Sequence, residues 1–289
     1  MIPWLTDTAP FPSTERALSS PNGLLAAGGE LSVARLLEAY RNGIFPWFNP
    51  DEPILWWCPD PRMVLIPSEF TISRSLAKLL RNGAYAVRTD TAFEAVMRAC
   101  AAPRDGHSGT WIGEDMIAAY CALHRLGYAH SVEVWMDKEL SQFHFEGQAR
   151  RLHPQVVCRA VSDASHRPLR KSNDADRAIS TARSDEGSQH SFTDEMELVG
   201  GLYGVGIGRM FYGESMFSQV SNASKIALAH LSRQLERWQF GMIDCQMKTP
   251  HLATLGAREI PRDEFISRLQ KLVNYAPMTA WQLDPDLFS

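Results

Sequence analysis

Glu214, Asp244 and Gln246 are the residues of this chain whose types and spacing point most directly to chemistry. Glu214 stands in GRMFYGESMF, and Asp244 and Gln246 in GMIDCQM. Both segments read as strands, in which alternate residues share a face. Met210, Tyr212, Glu214 and Met216 are therefore expected to point one way. Met242, Asp244 and Gln246 should do the same in the second segment, with Ile243, Cys245 and Met247 behind. If the two strands are neighbours, Glu214, Asp244 and Gln246 converge on one patch walled by Met216. A carboxylate pair and an amide beside a thioether wall suit a ligand that is a cationic amine at one end and apolar at the other. A strand end carrying two solvated acids is the alternative.

Other chemistries find less support. There is no HExxH and no cysteine pair at ligand spacing, so no metal centre is expected. Cys245 is expected to be buried on the side opposite Asp244, which speaks against a thiol nucleophile. GESMF lacks the second glycine of a nucleophile elbow. Gly204, Gly206 and Gly208 do not complete GxGxxG, because Arg209 stands where the third glycine belongs. No cofactor is expected.

The chain has 289 residues, 45% of them hydrophobic and 10% aromatic, enough for a sizeable core. Its net charge of −4 argues against a broad surface wrapping nucleic acid. A single-stranded end held by stacking remains compatible, at roughly 1–3 kcal/mol per base. No run approaches the ~20 apolar residues of a membrane span. The start, MIPWLTDTAPFPSTERAL, has neither a basic stretch nor an apolar one, so no secretory signal is expected. Five scattered cysteines read as reduced thiols of a cytoplasmic protein, taken to be a monomer.

These residues need elements to position them. Ser32 caps a helix whose stripe is Val33, Leu36, Leu37 and Tyr40, closed by Gly43. GIFPWFNPDEPILWWCPDPR follows, in which Trp56 and Trp57 read as packing and Trp47 as a candidate for stacking on a base. After Pro61 come a strand at 63–66 and a basic helix at 72–81, with Arg74, Lys78 and Arg81 outward. A strand at 85–88 leads to a helix opened by the capping box Thr91-x-x-Glu94. The loop DGHSGTWIG places Trp111 at the entry of a helix at 114–126 that carries Tyr120, and a strand at 130–135 follows. Residues 141–196 are polar and read as a disordered insertion. A hairpin with its tip at Gly206-Ile207-Gly208, a helix at 222–239, the IDCQ strand and a helix opened by Pro261 complete the pattern. His251 is expected to pack or cap rather than react. The fold class is α+β (mixed α/β), with a small domain at 1–61 and a larger one at 62–289 interrupted by the insertion.

GESMF at 213–217, NASK at 222–225, IDCQ at 243–246, FPWF at 45–48, ILWWCPDPR at 54–62 and GTWI at 109–112 occur in the order found in the leucyl/phenylalanyl-tRNA–protein transferases. The chain resembles that family from about Phe11 to Phe288, the insertion excepted. The resemblance implies an acetyltransferase-like (GNAT-like) larger domain. It also implies an enzyme that moves leucine or phenylalanine from the 3′ end of aminoacyl-tRNA to proteins beginning with Lys or Arg, marking them for N-end-rule degradation. On that resemblance, Asp244 and Gln246 hold and help activate the attacking amine, and Glu214 attracts the cationic N-terminal residue. Met216, Leu202 and Phe211 line the pocket for the transferred side chain. Trp47, Trp111, Tyr40 and Tyr120 belong to the substrate-binding set. No enzyme nucleophile is needed, because the ester of aminoacyl-tRNA is already activated. An acyl-CoA-dependent N-acetyltransferase is the alternative, and a non-catalytic module binding the tRNA end a second.

Overall fold

The computed structural model describes residues 2–103, 111–139, 141 and 196–288. Short apolar segments between prolines and glycines build a first, four-stranded sheet from β1 (Trp4–Leu5), β2 (Leu24–Gly28), β3 (Phe45–Pro46) and β4 (Leu55–Trp57), in the order β1-β2-β4-β3. Between β2 and β3 runs α1 (Val33–Arg41), whose N-cap Ser32 accepts the Arg35 N–H as expected. The chain leaves α1 through Gly43 at φ 73°, where a Cβ would collide with Ile266 and Phe265.

Beyond Pro61 the order is β5 (Arg62–Leu65), α2 (Arg74–Asn82), β6 (Ala86–Thr89), α3 (Phe93–Ala101), α4 (Glu114–Arg125) and β7 (Ala129–Asp137), then β8 (Met196–Ile207) and β9 (Met210–Ser218). These are followed by α5 (Ala223–Arg237), β10 (Met242–Gln246), α6 (Pro250–Thr254), β11 (Arg258–Ile260) and α7 (Arg262–Leu272). The second sheet has seven strands in the order β11-β5-β10-β9-β8-β7-β6. Within it β9 and β10 pair in parallel, because α5 carries the chain back between them; its other pairings are antiparallel. The protein is thus α+β with two mixed sheets. The insertion lies outside the described residues apart from Ser141 and Met196. The strands flanking it pair directly, with Asp137 opposite Met196.

Each face of the large sheet buries its own core. On one face, Leu36 and Tyr40 of α1, Phe93 and Val96 of α3, Met116 and Tyr120 of α4, and Phe265 of α7 pack on Tyr203, Val205 and Tyr212, together with Trp56 of the small sheet. On the other, Leu76 and Leu80 of α2 and Ile226, Leu231 and Leu235 of α5 pack on Leu202 and Phe211, with Trp281 and Phe288 laid alongside.

Two local expectations are corrected. The hairpin turns at Gly208-Arg209, between the paired Ile207 and Met210, one step past the expected tip. Only Gly208 there has positive φ, 61°, and a Cβ at this position would collide with the Leu272 carbonyl. The Thr91-x-x-Glu94 box does not form, because a better acceptor is present. Buried Glu133 of β7 takes the N–H groups of Thr91 (2.9 Å) and Ala92 (2.7 Å), the Thr91 hydroxyl, and donors from Ser131 and Trp135. Glu94 instead pairs with Arg98. Glu133→Gln replaces an acceptor-only carboxylate by a group that brings two donors into this nest. It is expected to lower the unfolding free energy by about 2 kcal/mol, measured by urea denaturation.

Candidate active site

The parallel pairing of β9 with β10 ends at Tyr212–Asp244, and beyond that pair both strands leave regular geometry. In β9, Gly204 pairs with Gly213 and Tyr203 with Ser215, so Glu214 is an extra, unpaired residue. In β10 the register against β5 shifts between Asp244 and Gln246, and Gln246 adopts φ 55°. The strands part, and a pocket of about 440 Å³ opens between Glu214–Met216 on one side and Cys245–Met247 on the other. Phe45, Pro46 and Trp47 of the small sheet, Trp111, and Thr249, His251 and Leu252 complete its wall.

Glu214 is held from the helical side. The Tyr40 hydroxyl donates to its Oε1 at 2.7 Å and the Tyr120 hydroxyl to its Oε2 at 3.1 Å, and the two phenol oxygens lie in close contact with each other. Burial, followed by the charge of Glu214, pushes both phenols well above their ordinary range, so they remain protonated donors. Burial raises the Glu214 carboxyl to about 7, against the opposing pull of the two hydroxyls. The Gln246 amide nitrogen lies 3.4 Å from Glu214 Oε1.

Asp244 occupies a different environment. Its carboxylate is fully buried and grips the equally buried Arg62 at both oxygens, Nε to Oδ1 at 2.8 Å and the terminal nitrogen to Oδ2 at 2.6 Å. Arg62 also donates to the Gly43 carbonyl at 3.0 Å and lies between the rings of Phe45 and Phe265. The remaining acceptor capacity of Oδ1 takes the Gln246 N–H at 2.9 Å, which fixes the left-handed backbone of that residue. Asp244 therefore shares no open patch with Glu214. It stands behind Gln246 and determines where Gln246 points.

The bulges also redistribute faces. Met216 pairs with Leu202 and packs toward the α5 side, opposite to Glu214, because the extra residue in β9 reverses the alternation. It still lines the pocket. Leu202 and Phe211 lie in the α5-side core and do not line the pocket, Leu202 directly behind Met216. Cys245, expected to face away, lines the pocket because β10 bends at this point, and burial pushes its thiol far above the usual range. Trp47 is 39% exposed and edge-on to Trp57, whose indole N–H donates to the Trp47 carbonyl at 2.7 Å. Trp111 lines the same pocket as Trp47 and Glu214.

Arg62 was visible in ILWWCPDPR but carried no expected role. The signal for it was Asp244 itself: an acid in a strand of apolar neighbours needs a cation. His251, expected to pack or cap, instead lines this pocket and an adjoining hollow of about 530 Å³ that shares Met216 with it. Among the described residues no His, Cys, Asp or Glu cluster is arranged to hold a metal ion, and no helix is long and apolar enough to cross a membrane.

Comparison with known proteins bears on what the pocket serves. A family model described as "Leucyl/phenylalanyl-tRNA protein transferase" matches residues 64–144 and 179–270, and its N-terminal-domain counterpart matches residues 29–60. A leucyl/phenylalanyl-tRNA–protein transferase of Nitrosospira multiformis is 54% identical over 95% of this chain and 94% of its own length. Those of Nitrosomonas europaea and Thiobacillus denitrificans are 52% and 50% identical, over 94% and 96% of this chain and 91% and 97% of theirs. A solved structure described as "Crystal structure of FemX" aligns with a TM-score of 0.38 and 13% identity, over 82% of this chain and 71% of that one. With family models spanning most of its length and relatives at half identity, the chain belongs to the leucyl/phenylalanyl-tRNA–protein transferase family and is an aminoacyltransferase.

Proposed function

We propose that the protein moves leucine or phenylalanine from the 3′ end of aminoacyl-tRNA to the α-amine of proteins beginning with Lys or Arg, marking them for N-end-rule degradation. The observation that carries this reading is the pocket where β9 and β10 part. It sets a tyrosine-held carboxylate, an amide, a thioether and two indoles around one cavity. Trp47 and Trp111 provide surfaces for the terminal base of the tRNA. Met216 and Leu252 receive the apolar side chain of the transferred amino acid, with Leu202 behind Met216 as support and Phe211 deeper in the same core. Glu214, ionised above about 7, attracts the cationic side chain of the acceptor. Gln246 offers its amide oxygen to the attacking amine, and Asp244 acts through Gln246 as a positioning residue.

The test is transfer from leucyl-tRNA to peptides that begin with Arg, Lys or Ala, with acetyl-CoA as the control donor. Transfer to the Arg and Lys peptides alone, and none from acetyl-CoA, is the expected result. Equal use of the Ala peptide would remove the acceptor rule.

Met216→Ala probes the side-chain site. Shortening the thioether enlarges an apolar wall and should weaken use of leucine by about 1–3 kcal/mol. Phenylalanine, which fills more volume, should lose less. Competition between the two charged tRNAs for one Arg peptide reads the ratio, which is expected to shift toward phenylalanine. An unchanged ratio would place the side-chain site elsewhere.

A further inference from the structure

The transfer step releases a proton from the attacking nitrogen, and few side chains in this pocket can receive it. Asp244 does not line the cavity, and both its oxygens are occupied by Arg62 and the Gln246 N–H. Cys245 faces the cavity as a protonated thiol. Glu214 accepts from two tyrosines and, on the reading above, meets the cationic end of the acceptor. Among the described residues, the remaining base on the wall is the imidazole of His251.

Its placement suits the task. Thr249 caps α6 by accepting the Leu252 N–H, and Pro250 opens the helix, so the backbone that carries His251 is fixed. The side chain is exposed, and its ring makes no hydrogen bond with a described residue. It lines both the pocket with Glu214 and Gln246 and the hollow next to it, so it stands where the two cavities meet.

We propose that His251 is the proton-transfer residue of the aminoacyl transfer, a role that rests on the pocket being the transfer site. The α-amine enters neutral, having lost its extra proton to solvent near its ordinary pKa of roughly 8. Its nitrogen lone pair forms the C–N bond to the ester carbonyl carbon, and the carbonyl electron pair moves onto oxygen. His251 takes a proton from the nitrogen, which has become cationic. The intermediate then collapses, the bond to the ribose O3′ breaks, and the imidazolium returns the proton to that oxygen, which leaves as a hydroxyl. Nothing is oxidised or reduced, and His251 ends neutral. Partial burial and the ammonium of Lys225 on α5 lower the imidazole below its ordinary range, so it waits in the neutral, proton-accepting form. Among the described residues, the other charged group lining this cavity is Glu214 of β9.

Steady-state and single-turnover transfer by His251→Gln and His251→Ala, with the unfolding temperature of each, test this. Both variants should melt like the parent and lose about 100-fold in kcat, the scale of a positioned proton-transfer group. KM for charged tRNA and for the Arg peptide should change by less than about 2-fold. Added imidazole should restore transfer by His251→Ala, and substituted imidazoles should do so in the order of their basicity. A wild-type kcat in His251→Gln, a change confined to KM, or an absence of imidazole rescue would each overturn the proposal. Trp47→Ala and Glu214→Gln separate the two readings. If these lose activity while His251→Gln does not, His251 alone is wrongly assigned. If all three retain it, the pocket is not the transfer site.

Discussion

Asp244→Asn is expected to lower single-turnover transfer by about 100-fold and, unlike a change confined to proton handling, to weaken the fold as well. Asp244 and Arg62 are both fully buried, and two short hydrogen bonds, 2.8 and 2.6 Å, join them. Asparagine of the same size keeps one acceptor but leaves the guanidinium uncompensated among Phe45 and Phe265. Removal of one partner of such a pair costs about 3–5 kcal/mol. The activity loss has a separate origin. The Gln246 N–H loses its charged acceptor, and with it the hold on the left-handed turn that aims the Gln246 amide toward Glu214. Denaturant unfolding and transfer under saturating charged tRNA measure the two losses. The double variant Arg62→Met with Asp244→Leu divides them: stability should largely return, and transfer should not. Wild-type stability in Asp244→Asn would show that the pair does not hold β10 to β5.

Glu214→Gln should reduce kcat/KM for an Arg-starting peptide by about 10- to 150-fold, the equivalent of losing one hydrogen bond to a charged group at 1.5–3 kcal/mol. Use of charged tRNA should stay within a few-fold, because Trp47, Trp111 and Met216 are untouched. The pH dependence gives a second check. With the carboxyl raised to about 7, the charge proposed to attract the acceptor is present above that value and fades as pH falls through it. Discrimination between Arg and Ala peptides should therefore decline from pH 8 to pH 6 in the parent and be flat in Glu214→Gln. Stability follows the opposite sign. A carboxyl raised on folding favours the native state fully below its ordinary value, and that contribution disappears as pH rises through about 7. Between pH 5 and pH 8 the parent should lose more stability than the glutamine variant. Identical profiles would mean that Glu214 does not titrate near 7.

Much of the architecture could be read from the residues. The order of helices and strands and the Ser32 cap follow from apolar periodicity and turn residues, all of which act locally; the adjacency of the GESMF and IDCQ strands entered only as a condition, which their parallel pairing meets. What escaped involves either an irregularity or a distant partner. Strict alternation placed Glu214 and Met216 on one face and Cys245 behind, and it fails at the extra residue of β9 and at the bend of β10. A bulge leaves almost no mark on composition, because it is decided by what the neighbouring strand can pair. The Thr91 box lost to Glu133, an acceptor about 40 positions away that no local pattern ranks against Glu94. Arg62 was recoverable by reasoning from the cost of an unpaired buried acid, though only once Asp244 was known to be buried.

The hydrogen bond from Tyr40 to Glu214 spans 174 positions of the chain, and the ion pair of Arg62 with Asp244 spans 182. During translation the first member of each pair has left the ribosome long before the second exists. At roughly 5–20 residues per second, the wait between them is on the order of ten seconds or more. Throughout that interval Arg62 can remain solvated, and the tyrosines have no carboxylate to bind. The nascent chain therefore cannot form the pocket between β9 and β10 until IDCQ emerges, so an unfinished copy lacks the whole site however long it waits.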